Sequence, residues 1–105
     1  MMTYQLSVGS LDGLLFEGEV TRVRCRTISG DVAILARHCN YCSALGVGPA
    51  YFDLADGTRK FARCSGGMIS VIDGKCSLLA TKWVWKKNLE DAEDDIDDDD
   101  NFIDE

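Results

Sequence analysis

The chain has 105 residues, with 11 Lys and Arg against 18 Asp and Glu and a formal net charge of −7. That length suits one domain able to bury roughly two-thirds of its unfolded surface, and no stretch approaches the ~20 apolar residues of a membrane-spanning helix. The net charge averages two unlike regions: residues 1–89 hold all 11 bases and seven acids, a body of +4, while residues 90–105 hold 11 acids and no base.

In chain order, Tyr4, Leu6 and Val8 alternate with Gln5 and Ser7, the period of a half-buried strand, which Gly9-Ser10 ends. Asp12-Gly13 is a turn signal before Leu14-Leu15-Phe16. Over residues 19–27, Val23 and Cys25 fall on one strand face and Arg22, Arg24 and Arg26 on the other. Gly30-Asp31 leads into the apolar residues 32–35, and Gly46-Val47-Gly48-Pro49 precedes the strand-like residues 50–54. Asp56-Gly57 then turns the chain into residues 58–64.

Ser65-Gly66-Gly67 reads as the opening of a strand that runs through Val71, with Asp73-Gly74 as its turn and residues 76–80 as the return. Asp-Gly between apolar runs favours a type I′ turn, in which both central residues take positive φ. Trp83-Val84-Trp85 continues this last strand or covers one end of the core. Many short strands at close spacing, with no helical period, predict an all-β chain forming a small two-sheet β-sandwich over residues 1–89. Residues 90–105 are expected to form a disordered acidic tail, because like charges repel.

Five cysteines (Cys25, Cys39, Cys42, Cys64 and Cys76) make an odd number, mostly at strand-like positions. Met1-Met2-Thr3-Tyr4-Gln5-Leu6 has neither the basic start nor the apolar run of a signal peptide, so reduced thiols and a cytosolic setting are expected. His38-Cys39-Asn40-Tyr41-Cys42 offers soft ligands at workable spacing. No second Cys-x-x-Cys or second histidine completes a four-ligand set, and the expectation is structural cysteines without a metal.

Arg22, Arg24 and Arg26 could grip phosphates, yet no aromatics interleave with them, which argues against a nucleic-acid surface and for a solvated or charge-protected edge strand. One histidine and no Gly-rich phosphate loop argue against independent catalysis, and no cofactor is expected. The acidic tail reads as a solubilising end; a second reading folds it back over Arg22, Arg24, Arg26, Lys86 and Lys87. Phe102-Ile103 is an apolar pair within the acid.

Several phrases share one order and spacing: Tyr4-Gln5-Leu6-Ser7-Val8, Phe16-Glu17-Gly18-Glu19-Val20, Gly30-Asp31-Val32-Ala33-Ile34-Leu35, His38, Ser65-Gly66-Gly67 with Val71, and Leu78-Leu79-Ala80. Together, across residues 4–81, they resemble the N-terminal domain of the epsilon subunit of F-type ATP synthases. Two departures stand out. Ala36-Arg37-His38-Cys39-Asn40-Tyr41-Cys42 replaces the family's Pro-Gly-His-Ala-Pro-Leu-Leu. The acidic tail stands where the family continues into a helical hairpin that restrains ATP hydrolysis, and no hairpin is expected.

The resemblance implies a non-catalytic rotor-stalk subunit of a proton-translocating ATP synthase, joining the gamma subunit to the c-ring for coupled ATP synthesis. It would sit at the cytoplasmic face of the cell membrane, held there only through the complex. It also implies gamma contact through Ser10, His38, Ser43 and Ser65, and c-ring contact through Asp31. The alternative is a free-standing β-sandwich adaptor whose acidic tail binds a basic protein partner.

Overall fold

The computed structural model describes residues 2–37 and 39–93. They form β1 (Tyr4–Ser10), β2 (Gly13–Thr27), β3 (Gly30–Leu35), β4 (Tyr41–Ala44), β5 (Val47–Leu54), β6 (Arg59–Ile72), β7 (Lys75–Lys86) and α1 (Leu89–Glu93). The expected two-sheet β-sandwich is the observed fold. Its sheets are not separate sets of strands.

The first half of β2 pairs with β1, and its second half pairs with β5 and β3. β6 pairs with β5 up to Ser65 and with β4 from Met68 onward, while β7 follows β6 throughout. β1 lies parallel to the first half of β7. One sheet is therefore β2–β1–β7–β6–β4 and the other β3–β2–β5–β6–β7, and the circuit β1–β7–β6–β5–β2 closes on β1.

A strand that crosses between sheets must change which side it turns inward. Cys64 and Ile69 are both buried although five residues apart, and Ala80 and Trp83, three apart, both pack into the core. Strict alternation forbids both spacings. Gly66 and Gly67 absorb the change on β6 with φ of 80° and 125°, angles that side chains resist. A Cβ on Gly67 would collide with Leu79 O and lie 2.9 Å from the Ala80 Cα.

These glycines are thus the corner of a 14-residue strand rather than the start of a new one, and the β6–β7 register is continuous through them. The Asp73-Gly74 turn is as expected, with φ of 51° and 81° between the paired Ile72 and Lys75. Asp73 N donates to Asn40 Oδ1 at 3.0 Å, pinning the turn from outside.

Three further expectations are corrected. β2 starts at Gly13, not near residue 19, because its first half is held by β1. The arginine strand is no edge, since β2 lies between β5 and β3, and β3 takes the edge. β4 was not foreseen; four residues of mixed character become a strand by pairing with β6.

The interior gathers Leu6, Val8, Val20, Val23, Ile34, Phe52, Ile69, Val71 and Leu78, all nearly inaccessible. Burying a ring such as Phe52 contributes about 2–3 kcal/mol. Phe52 stacks obliquely on Phe16 with centroids 4.5 Å apart and meets the edge of Trp85, so Trp83 and Trp85 both continue β7 and close one end of the core. Tyr4 donates its hydroxyl to Ile34 O at 2.5 Å, satisfying a buried polar atom and tying β1 to β3.

Beyond β7, Asn88 Oδ1 accepts from Asp91 N at 2.8 Å and caps α1, and Glu90 and Asp91 sit in its first turn, where the helix dipole favours acid. Ala92 is fully buried, and Arg63 Nη1 donates to Ala92 O at 3.0 Å. Residues 90–93, counted with the tail from sequence, are therefore a docked helical turn. The rest of the tail, including Phe102-Ile103, lies outside the described residues.

Candidate functional site

Two outer faces carry the surface chemistry. On the first sheet, cross-strand register aligns Leu14, Gly9, Leu79, Met68 and Ala44 in one row. Leu14, Leu79 and Met68 are 63%, 58% and 51% exposed, and Leu11 in the adjoining turn is 91% exposed. The Leu79 side chain lies beside Gly9, with Cδ1 3.8 Å from where a Cβ would stand, an ordinary packing distance. The next outward row is small and polar: Ser7, Ser77 and Ser70. A contiguous exposed apolar row beside small residues marks a docking surface.

The signal for this row was present in the sequence. Successive strand residues point to opposite faces, so Leu78-Leu79 and Met68-Ile69 must each turn one apolar side chain outward. Leu78 and Ile69 are the buried members of those pairs.

Ser10 ends β1 opposite Ala80, which pairs in turn with Gly67 at the corner. Its Oγ accepts from Asp12 N at 3.1 Å. Ser65 lies on the other side of the corner, opposite the exposed Val47 and Lys82. Ser43 is on β4 opposite the buried Ile69, and its hydroxyl donates to Ala44 O at 3.1 Å. Ser10 and Ser65 thus flank one corner, while Ser43 stands on a separate strand. His38 lies outside the described residues.

The second sheet presents a basic outer face. Arg22, Asp53 and Arg59 align in one row, and Arg24, Tyr51, Phe61 and Lys86 in the next. Arg59 grips Asp53 with both nitrogens, at 2.5 and 3.0 Å, and lies 4.3 Å over the Tyr51 ring. Thr27 donates its hydroxyl to Gly30 O and accepts from Ser29 N, fixing the β2–β3 turn so that Asp31 stands opposite Arg26.

Asp31 is exposed, but Arg26 Nε reaches it at 3.1 Å and Arg24 Nη2 at 3.2 Å. Hydrogen bonding from Arg26 above all, joined by Arg24, holds its carboxyl below the usual range in spite of an opposing effect of burial. Asp31 is therefore part of a patch whose net sign is positive. Gly48 makes room for the arrangement, since a Cβ there would come within 2.9 Å of the Arg26 guanidinium. Leu89 and Glu93 of α1 join Arg24, Arg26, Asp31 and Tyr51 around an open cavity of about 190 Å³.

Cys25, Cys64 and Cys76 are buried and Cys39 and Cys42 exposed, all as free thiols. Burial pushes the Cys25 thiol up to about 12 and those of Cys64 and Cys76 up to about 11. Among the described residues, no helix is long and apolar enough to cross a membrane.

A closed two-sheet circuit with an apolar row on one outer face and a basic surface on the other defines a small β-sandwich domain. The chain belongs to the family described as the ATP synthase delta/epsilon chain β-sandwich domain, whose model matches residues 3–86.

It is 36% identical over 80 residues to the ATP synthase epsilon chain of Shouchella clausii, covering 76% of this chain and 59% of that relative. It is 39% identical over 69 residues to the epsilon chain of Streptomyces avermitilis, covering 66% and 56%. The chain thus spans under three-fifths of the length of these relatives.

A chain in the Euglena gracilis mitochondrial ATP synthase structure shares the fold with a TM-score of 0.75 at 22% identity, covering 85% of this chain and 58% of its own. One in the central stalk and c-ring structure from Tetrahymena thermophila does so with a TM-score of 0.64 at 13% identity, covering 75% and 63%. These matches lend no support to the adaptor reading.

Proposed function

We propose that the chain acts as an epsilon-type subunit of the central stalk of a rotary, proton-translocating ATP synthase, bound to gamma and to the c-ring and performing no catalysis itself. The observation that carries this reading is the family match across residues 3–86, nearly the whole sandwich. The apolar row of Leu14, Leu79 and Met68 supports it by supplying a surface suited to a permanent partner. In this reading that row, with Ser10 and Ser65 at its corner and Ser43 beyond, faces gamma, and His38 joins them by the family resemblance alone. The β2–β3 turn faces the c-ring, and Asp31 acts there by holding Arg24 and Arg26 in place rather than as a lone acid. The subunit would reside at the cytoplasmic face of the membrane through the complex alone.

Co-expression with the gamma subunit tests this. The tagged chain should retain gamma through size exclusion, and Met68→Asp with Leu79→Asp should weaken retention at least tenfold while the far-ultraviolet spectrum stays unchanged. If the parent chain retains no gamma, the reading is wrong.

A further inference from the structure

We propose that the outer face of the first sheet takes a helix of gamma whose apolar stripe lies along the row of Leu14, Leu79 and Met68. The end of that helix over β2 carries lysine or arginine, met by Asp12, Glu17 and Glu19. This rests on the stalk assignment and adds the chemistry of the partner segment and the direction in which it lies.

The row and the groove beside it define the shape. From β2 through β1, β7 and β6 to β4 the row crosses five strands. That is roughly 19 Å, the length of about three to four turns of helix. Alongside it an open groove of about 350 Å³ lies among Leu11, Met68, Leu79 and Thr81, with Gly67 and Ala80 as its floor. The floor is bare because the corner admits no side chain at position 67, where a Cβ would collide with Leu79 O.

Charge sets the direction. The first base in the chain is Arg22, so the β1–β2 hairpin holds Asp12, Glu17 and Glu19 with no Lys or Arg. Leu6 and Val8 are buried, so Gln5, Ser7 and Gly9 face outward. Glu17 stands opposite Ser7 and Glu19 opposite Gln5, on the same face as the row. All three acids are exposed, and among the described residues no ion pair engages them, whereas arginines hold Asp31 and Asp53. Thr3 Oγ1 donates to Glu19 Oε1 at 2.7 Å and steadies it.

Toward β4 the outward residues Ser77, Ser70 and Cys42 are uncharged, and so are Met68 and Ala44. The face has one base among the described residues, Lys75, two strands away from Glu19. Three acids against one base leave this face at −2, on a body of +4. An apolar strip charged at one end is matched in one orientation. Turned end for end, the bases of the helix would lie over the uncharged β4 side. Charges at the rim of an interface steer association and select orientation more than they hold the complex together.

The experiment measures binding of the full chain to immobilised gamma subunit, beside a full chain carrying Glu17→Gln and Glu19→Gln. At low salt the variant should associate about fivefold more slowly, with dissociation little changed. Added salt should slow the parent more than the variant. Glu17→Lys with Glu19→Lys should associate more slowly still. Equal rates for parent and variants would overturn the basic-ended helix and leave the stalk assignment standing. No binding by the parent would overturn the stalk assignment, and this inference with it. A parent chain that elutes as a dimer, and as a monomer once Met68→Asp is made, would overturn it in favour of a second copy on this face.

Discussion

A single methyl group distinguishes two of the glycines with positive φ. At Gly74, φ is 81° and nothing lies within 4 Å of an added Cβ, so Gly74→Ala meets only backbone strain, about 1 kcal/mol. At Gly67, φ is 125° and the same methyl collides with Leu79 O, so Gly67→Ala should cost about 3 kcal/mol or more. Urea unfolding of both variants checks the contrast. Equal losses would mean that crowding at the corner does not hold the fold. Sequence alone could not separate these positions, because a glycine pair before an apolar run looks the same at a strand's start and at its bend. What decides is the register with β7, a non-local fact. The apolar row was nearer to hand, since Leu78-Leu79 cannot be buried on both sides of one strand.

At the scale of elements, the strands that read clearly were those whose alternation is long enough to stand alone, such as β1 and the β6–β7 hairpin with its Asp73-Gly74 turn. β4 did not, because four residues including an exposed cysteine have no pattern without β6 beside them. α1 was hidden for a different reason. Its acidic composition speaks for solvent, whereas its order comes from Arg63, 29 residues earlier, meeting the Ala92 carbonyl.

Arg63→Met keeps the aliphatic packing and removes the donor, leaving that carbonyl unpaired at a cost of about 1–3 kcal/mol. Hydrogen exchange of the Ala92 amide should quicken about tenfold or more while that of Ile69 holds. An unchanged Ala92 rate would show that packing alone seats the helix.

For the whole molecule, three thiols link stability to alkaline pH. Burial raises Cys25 to about 12 and Cys64 and Cys76 to about 11 from an ordinary value of 9.0. A raised value in the folded state means that the proton is held more tightly there. The stabilisation is complete below pH 9, falls away from there upward, and is fully lost once pH has climbed through 11 to 12. Between pH 8 and pH 10 the three together should cost about 4 kcal/mol, a large share of a small domain's stability. Urea midpoints at the two pH values measure it, and a change under about 1 kcal/mol would mean that these thiols ionise without unfolding.

The parallel seam between β1 and β7 has a mechanical meaning as well. The two strands start side by side, with Gln5 beside Lys75 and Ser10 beside Ala80. A pull on the two ends of the described chain draws them in opposite directions along their own length. Their hydrogen bonds are then loaded all at once, in shear, whereas a hairpin pulled from its open end gives them up singly. The seam is a clamp against lengthwise tension, placed where the first strand meets the last.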